Sequence, residues 1–157
     1  MSAWDEVGAD VFRRRYEPHD VSVCVVRGSD GLLVVDTRAS ARQGDEIRRD
    51  LEVFGAPVRW VVNTHAHFDH SFGNQRFGPA GPSPAPIYGH VRVPAHLERY
   101  EVPMLAAWID RDDVSTREWR DVVLTAPTEL VETHAVLDLG DREVVDVWNA
   151  LGRGIRI

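Results

Sequence analysis

The sequence predicts an α/β domain, and three observations carry that prediction. Residues 32–35, Leu-Leu-Val-Val, are apolar without alternation, as expected of a strand covered on both faces. An amphipathic helix follows over about residues 41–54, and a second apolar run, Val58-Arg59-Trp60-Val61-Val62, follows the helix. Strand, helix, strand in that order implies a parallel pair joined by a right-handed crossover. The second of these strands delivers the run Asn63-Thr64-His65-Ala66-His67-Phe68-Asp69-His70 to its C-terminal end, a common place for active-site loops in open α/β sheets.

The elements follow one another along the chain. Residues 11–16 and 21–27 read as strands, and a turn at Ser29-Asp30-Gly31 makes residues 21–27 and 32–35 a hairpin. Ser40 with Gln43 forms a capping box at the helix start. Ile47, Leu51 and Phe54 form its apolar stripe, and Gly55 and Pro57 stop it. A short helix is expected over 72–77. The proline-rich stretch 78–86 reads as a stiff connector rather than a polyproline ligand. Ile87-Tyr88 is a brief strand. Residues 94–100 and 104–109 read as helical, with Pro103 breaking them, and Ser115 with Glu118 suggests another cap. Residues 129–133, 135–139 and 143–148 read as strands, the last two joined by a tight turn at Gly140-Asp141. They begin a second sheet or finish the first. No repeat and no linker appears, so residues 1–157 are expected to form one domain.

Composition narrows the function. The 157 residues are 43% hydrophobic and 27% charged, which is ordinary for a globular domain. No apolar run approaches the roughly 20 residues of a membrane span. The N-terminus, Met1-Ser2-Ala3-Trp4-Asp5-Glu6, lacks a signal pattern, so the expected location is cytoplasmic. A net charge of −7 argues against a nucleic-acid surface, and the only basic cluster, Arg13-Arg14-Arg15, reads as solvated edge charge in the first strand. Cys24 is the single cysteine and reads as a buried small hydrophobe.

The His-rich run carries the chemistry. Imidazole and carboxylate suit zinc and its first-row neighbours. Residues two apart in an extended segment point the same way, so His65 and His67 can reach one ion together. Asp69 and His70 can reach a second ion or bear on the first. Asp36, at a strand end, either orients a ligand histidine or caps the helix entry. Thr64 could likewise support the loop. Gly73 either lets the backbone pass close to the site or is a helix-start glycine. His90 and His96 flank a helix start and read as capping or surface residues. His134 and His19 have no partner motif.

His65-x-His67-x-Asp69-His70, after a strand ending in Asn63-Thr64, resembles the metal signature of the metallo-β-lactamase superfamily. Ser71-Phe72-Gly73-Asn74 downstream and Leu33-Val34-Val35-Asp36-Thr37 upstream fit the same pattern. The resemblance runs from about Val21 to Gly154, with little signature between Pro79 and Thr128. It implies the N-terminal part of a four-layer αββα sandwich with two zinc ions at the sheet edges, iron and manganese being alternatives. His65 and His67 would hold the first ion, and Asp69 and His70 the second. A hydroxide held by the ions would attack an ester, thioester, lactone, amide or phosphodiester of a small-molecule substrate, with Asp69 orienting the hydroxide as the catalytic residue.

The family pattern continues with a histidine after Leu-Gly-x-Gly, then a bridging aspartate and a last histidine. Here Leu151-Gly152-Arg153-Gly154 is followed by Ile155. The expectation is therefore a truncated domain with an incomplete second sheet, weak or partial metal occupancy, an exposed apolar face and impaired turnover. Two alternatives stand beside it. One is a hydrolase completed by a homo-oligomer that covers the sheet and lends His134 or His96. The other is a non-catalytic metal-binding or interaction module.

Overall fold

The computed structural model describes residues 4–111 and 114–147, leaving Trp148, Ile155 and the other predicted C-terminal features outside the described residues. Seven strands form one sheet in sequence order. They are β1 (Asp5–Gly8), β2 (Val11–Tyr16), β3 (Val21–Gly28), β4 (Gly31–Val35), β5 (Val58–Val62), β6 (Ile87–His90) and β7 (Glu129–Val131). The first four pair antiparallel, and β4 to β7 run parallel. A hairpin of β8 (His134–Asp138) and β9 (Glu143–Val147) forms a separate sheet. The last predicted strands thus begin the second sheet, and β7 finishes the first.

Each face of the large sheet has its own core, which explains the unbroken apolar run of β4. Leu32 and Val34 point with Val23, Val25, Val61 and Ile87 toward helix α1 (Ala41–Leu51), where they meet Ile47 and Leu51. Leu33 points the other way, with Val26 and Val62, onto Leu137, Leu139 and Val144 of the hairpin. Burying each such side chain contributes about 1.5–3 kcal/mol. The hairpin approaches β3 closely: a Cβ on Gly28 would lie 2.4 Å from the Leu139 carbonyl oxygen. It covers Val26, Leu33 and Val62, while Trp60 and Tyr88 beside them are partly buried. The hairpin's own Val136 and Val145 are exposed.

The polar edge strand β1, Asp-Glu-Val-Gly, is exposed along its whole length and has no apolar pattern from which to read it. Its partner β2 is therefore the second strand. The three arginines of β2 are all paired: Arg13 with Asp5 at 3.8 Å, Arg14 with Asp50 of α1 at 3.0 Å, and Arg15 with Asp20.

Two helices depart from expectation. The helix expected at 72–77 begins earlier, as α2 (Phe68–Ser71), and continues as a 3-10 turn through Arg76. Pro103 does not break the chain between its neighbouring helices. Residues 93–110 stay helical as α3 (Val93–His96), a π-turn (Leu97–Glu101) and α4 (Val102–Asp110). Pro103 lies in the first turn of α4, where a missing N–H is tolerated, and the wider turn before it bonds Val102 N–H to the Leu97 carbonyl. Among the described residues no helix is long and apolar enough to cross a membrane.

The capping box is modified. The Ser40 hydroxyl accepts from Gln43 N–H at 3.2 Å, as predicted. The Gln43 side chain reaches one residue further back and accepts from Ala39 N–H. Glu118, expected to serve Ser115, instead docks on this end of α1. One of its carboxylate oxygens accepts from the Ser40 hydroxyl (2.5 Å), Gln43 Nε2 (2.9 Å) and Arg42 Nη2 (2.8 Å). Negative charge is favoured at a helix N-terminus. Burial alone would push the Glu118 carboxyl up, but these three donors hold it below the usual carboxylate range.

A carboxylate held low stabilises the fold above its unfolded pKa and loses that contribution as pH falls through the folded value. Glu118→Gln is therefore expected to lower stability at pH 7 by about 2 kcal/mol. The difference from wild type should shrink in urea denaturation at progressively more acidic pH, below the ordinary glutamate value of about 4.3.

Candidate metal centre

The centre forms where β4 and β5 end side by side. The ladder runs one step past β4, with Asp36 N–H donating to the Val62 carbonyl at 2.8 Å. Asp36 then takes a left-handed backbone, φ 67°, which is uncommon outside glycine and characteristic of functional loops. Its buried carboxylate accepts Thr64 N–H and the Thr64 hydroxyl, each at 2.7 Å. It also meets His70 Nδ1 at 2.7 Å. One carboxylate thus ties both ends of the His-rich loop to the strand before it.

These bonds fix ring tautomers. A carboxylate only accepts, so His70 Nδ1 carries the proton and neutral His70 presents a lone pair at Nε2. That nitrogen lies 3.5 Å from an Asp69 carboxylate oxygen. The Thr64 hydroxyl has given its one proton to Asp36, so its contact with His65 Nδ1 at 2.9 Å is donated by the ring. His65 therefore presents a lone pair at Nε2, which faces His67 Nδ1 at 3.2 Å. Two nitrogens bound to one tetrahedral zinc at about 2.0–2.1 Å lie roughly 3.3 Å apart.

The electrostatics act on the two rings in opposite directions. Burial first, then the neighbouring His70 and His67, pushes His65 down to about 4, against the pull of Asp36 and Asp69. The ring is neutral at pH 7. Burial also acts to lower His70, but the hydrogen bond and charge of Asp36, with Asp69, outweigh it and raise the ring above its ordinary value.

A buried amide pair braces the loop from below. Asn74 Nδ2 donates to Asn63 Oδ1 (2.7 Å) and to the Thr125 carbonyl (2.9 Å). Asn74 Oδ1 accepts from Thr37 Oγ1 (2.8 Å) and Asn63 Nδ2 (3.0 Å). Thr37 N–H bonds to the His70 carbonyl at 2.9 Å. Gly73 crosses this bracing so closely that a Cβ would lie 1.9 Å from the Thr37 carbonyl oxygen, so close passage is the reason for glycine here. On the solvent side, Phe68 packs edge-on to Trp108, ring centroids 4.9 Å apart, and Phe72 is buried with Leu105 and Val122. The sequence holds no signal that this aromatic wall from residues 104–124 would cover α2.

The remaining histidines separate by place. His90 is buried, and its Nδ1 accepts Arg92 N–H at 3.2 Å, a capping role. His19 stacks edge-on against Phe68 at 5.0 Å. His134 is exposed on β8. His96 comes near the centre, its ring 5.8 Å from that of His67, which its sequence context did not suggest. Among the described residues no three His, Cys, Asp or Glu side chains already surround one point.

The metallo-β-lactamase superfamily pattern matches residues 16–145. The chain belongs to that superfamily. Its members generally bind divalent metal ions, commonly zinc. The chain is similar in fold to a β-lactamase domain protein from Burkholderia ambifaria, with TM-score 0.63 and 18% identity, over 90% of this chain and 46% of that one. It is similar to BJP-1, a subclass B3 metallo-β-lactamase of Bradyrhizobium japonicum, with TM-score 0.62 and 18% identity, over 93% and 51% of the two chains. The sec-alkylsulfatase Pisa1 from Pseudomonas sp. aligns with TM-score 0.64 and 16% identity, over 94% and 27%. The chain thus spans about half the length of the two lactamase-type structures. No curated protein matches it in sequence.

Two outcomes test the geometry of this candidate centre. In histidine ring NMR titrations His65 is expected to titrate at about 4 and His70 above its ordinary value, with Asp36→Asn bringing His70 back down. Gly73→Ala is expected to destabilise the fold by about 3 kcal/mol in urea denaturation, because the added methyl meets backbone.

Proposed function

We propose that this chain carries the divalent-metal centre of a metal-dependent hydrolase acting on a small-molecule ester, thioester, lactone, amide or phosphodiester. The observation that carries the reading is the convergence of metal-ligating atoms in two pairs. His65 Nε2 and His67 Nδ1 lie 3.2 Å apart, and His70 Nε2 and an Asp69 oxygen lie 3.5 Å apart. Neutral imidazole and carboxylate fit zinc, with iron or manganese as alternatives. His65 and His67 would hold one ion, and Asp69 and His70 a second. A bound zinc supplies Lewis acidity and lowers the pKa of water to about 7.

The chain's own residues do the positioning. Thr64 and Asp36 keep the His65 and His70 rings in the tautomers that leave their Nε2 atoms free. Asp69, at the start of α2, can accept a proton or hydrogen bond from a nucleophilic water between the two pairs. The wall of Phe68, Trp108 and Trp119 limits water on one side.

A second reading is a metal-binding module without turnover. It is favoured by the donor count, since catalytic zinc normally has three protein ligands and each pair here supplies two. Zinc titration with a competing chromophoric chelator tests what the two readings share. His65→Ala and His67→Ala are each expected to weaken zinc binding about 100-fold, and equal affinity in all three proteins would refute both. Hydrolysis of p-nitrophenyl esters and of bis(p-nitrophenyl) phosphate by the zinc-loaded chain separates them. Zinc-dependent turnover lost in Asp69→Asn supports the hydrolase, and tight zinc without turnover supports the module.

A further inference from the structure

We propose that His96, oriented by Glu101, is a third imidazole for the ion held by His65 and His67, an inference that rests on the metal reading of that pair. The carboxylate of Glu101 is buried, with the residue only 4% exposed. One of its oxygens meets His96 Nε2 at 3.1 Å. The other, Oε2, is buried and has no hydrogen-bond partner. A buried carboxylate with an unpaired oxygen is costly unless positive charge lies close by. A carboxylate only accepts, so His96 Nε2 donates to Glu101, and the tautomer with that donor has its lone pair at Nδ1. Carboxylate, histidine and ion in that order is how metal-binding histidines are commonly held.

The backbone supplies a second, independent observation. Leu97–Glu101 is a π-turn, a rare conformation that occurs mostly at functional sites. In an α-helix, at 3.6 residues per turn, residues five apart point roughly 140° away from each other. The wider turn returns Glu101 to the side of His96, so the irregularity creates the pair. The same turn packs on the His-rich loop, because Leu97 and Val93 form a buried cluster with Ala66, between the two histidines of the motif. The His96 ring lies 5.8 Å from that of His67, which is the spacing two imidazoles have across a shared ion, at roughly 5–6 Å between ring centres.

The test is zinc alone, titrated against a chromophoric chelator, with the chain compared to His96→Ala, Glu101→Gln and His134→Ala. Nitrogen-15 ring spectra are recorded with and without zinc. His96→Ala is expected to weaken binding at least tenfold, and Glu101→Gln by about 10-fold or more. His134→Ala should change nothing. The His96 Nδ1 resonance should move to a metal-bound position when zinc is added, which a merely structural role would not produce. If His65→Ala weakens zinc binding while His96→Ala does not and the His96 nitrogens stay put, this inference is overturned and the motif reading survives. If His65→Ala itself leaves affinity unchanged, the motif reading falls first.

Discussion

The centre depends on one buried carboxylate. Asp36 accepts three hydrogen bonds, two from Thr64 and one from His70, at the two ends of a loop seven residues long. Hydrogen bonds to a charged acceptor are the strong ones, about 1.5–3 kcal/mol each, and here they also select ring tautomers. They tie the loop's entry and exit to the end of β4 and set which nitrogens of His65 and His70 carry the protons. The left-handed backbone of Asp36 is the local strain that aims this carboxylate, and the parallel ladder of β4 and β5 holds it in place.

Packing then keeps water away from the bracing. The amides of Asn63 and Asn74 are fully buried and their donors and acceptors are met by each other, Thr37, Thr125 and the His70 carbonyl. A buried polar network of this kind is rigid when complete and unfavourable when broken. It joins segments that are far apart in sequence, so the centre can exist only in the folded chain. Glu118 does similar work elsewhere, linking the residues after α4 to the N-terminus of α1.

Much of this was legible in the sequence. The unbroken apolar run of β4, the Ser40 cap and the Ile47–Leu51 stripe each have a local cause, and each element formed where that cause placed it. Family membership followed from the spacing of His65, His67, Asp69 and His70 together with its strand-to-loop context. What was hidden depends on contacts distant in sequence. The edge strand β1 has no apolar pattern, because pairing with β2 alone makes it a strand. Pro103 reads as a breaker, and only the π-turn before it shows how the helix continues. The nearness of His96 to His67 comes from that same turn packing on Ala66, which no local pattern encodes.

The central claim is that the loop is built before any ion arrives. A zinc titration of the apo chain followed by amide and histidine-ring NMR tests it most directly. The account predicts that the ring nitrogens of His65, His67 and His70 move, while the amides of Thr37, Asn63 and Asn74 keep their positions and line widths. Large shifts or broadening of those amides, with the loop ordering only as zinc binds, would contradict it.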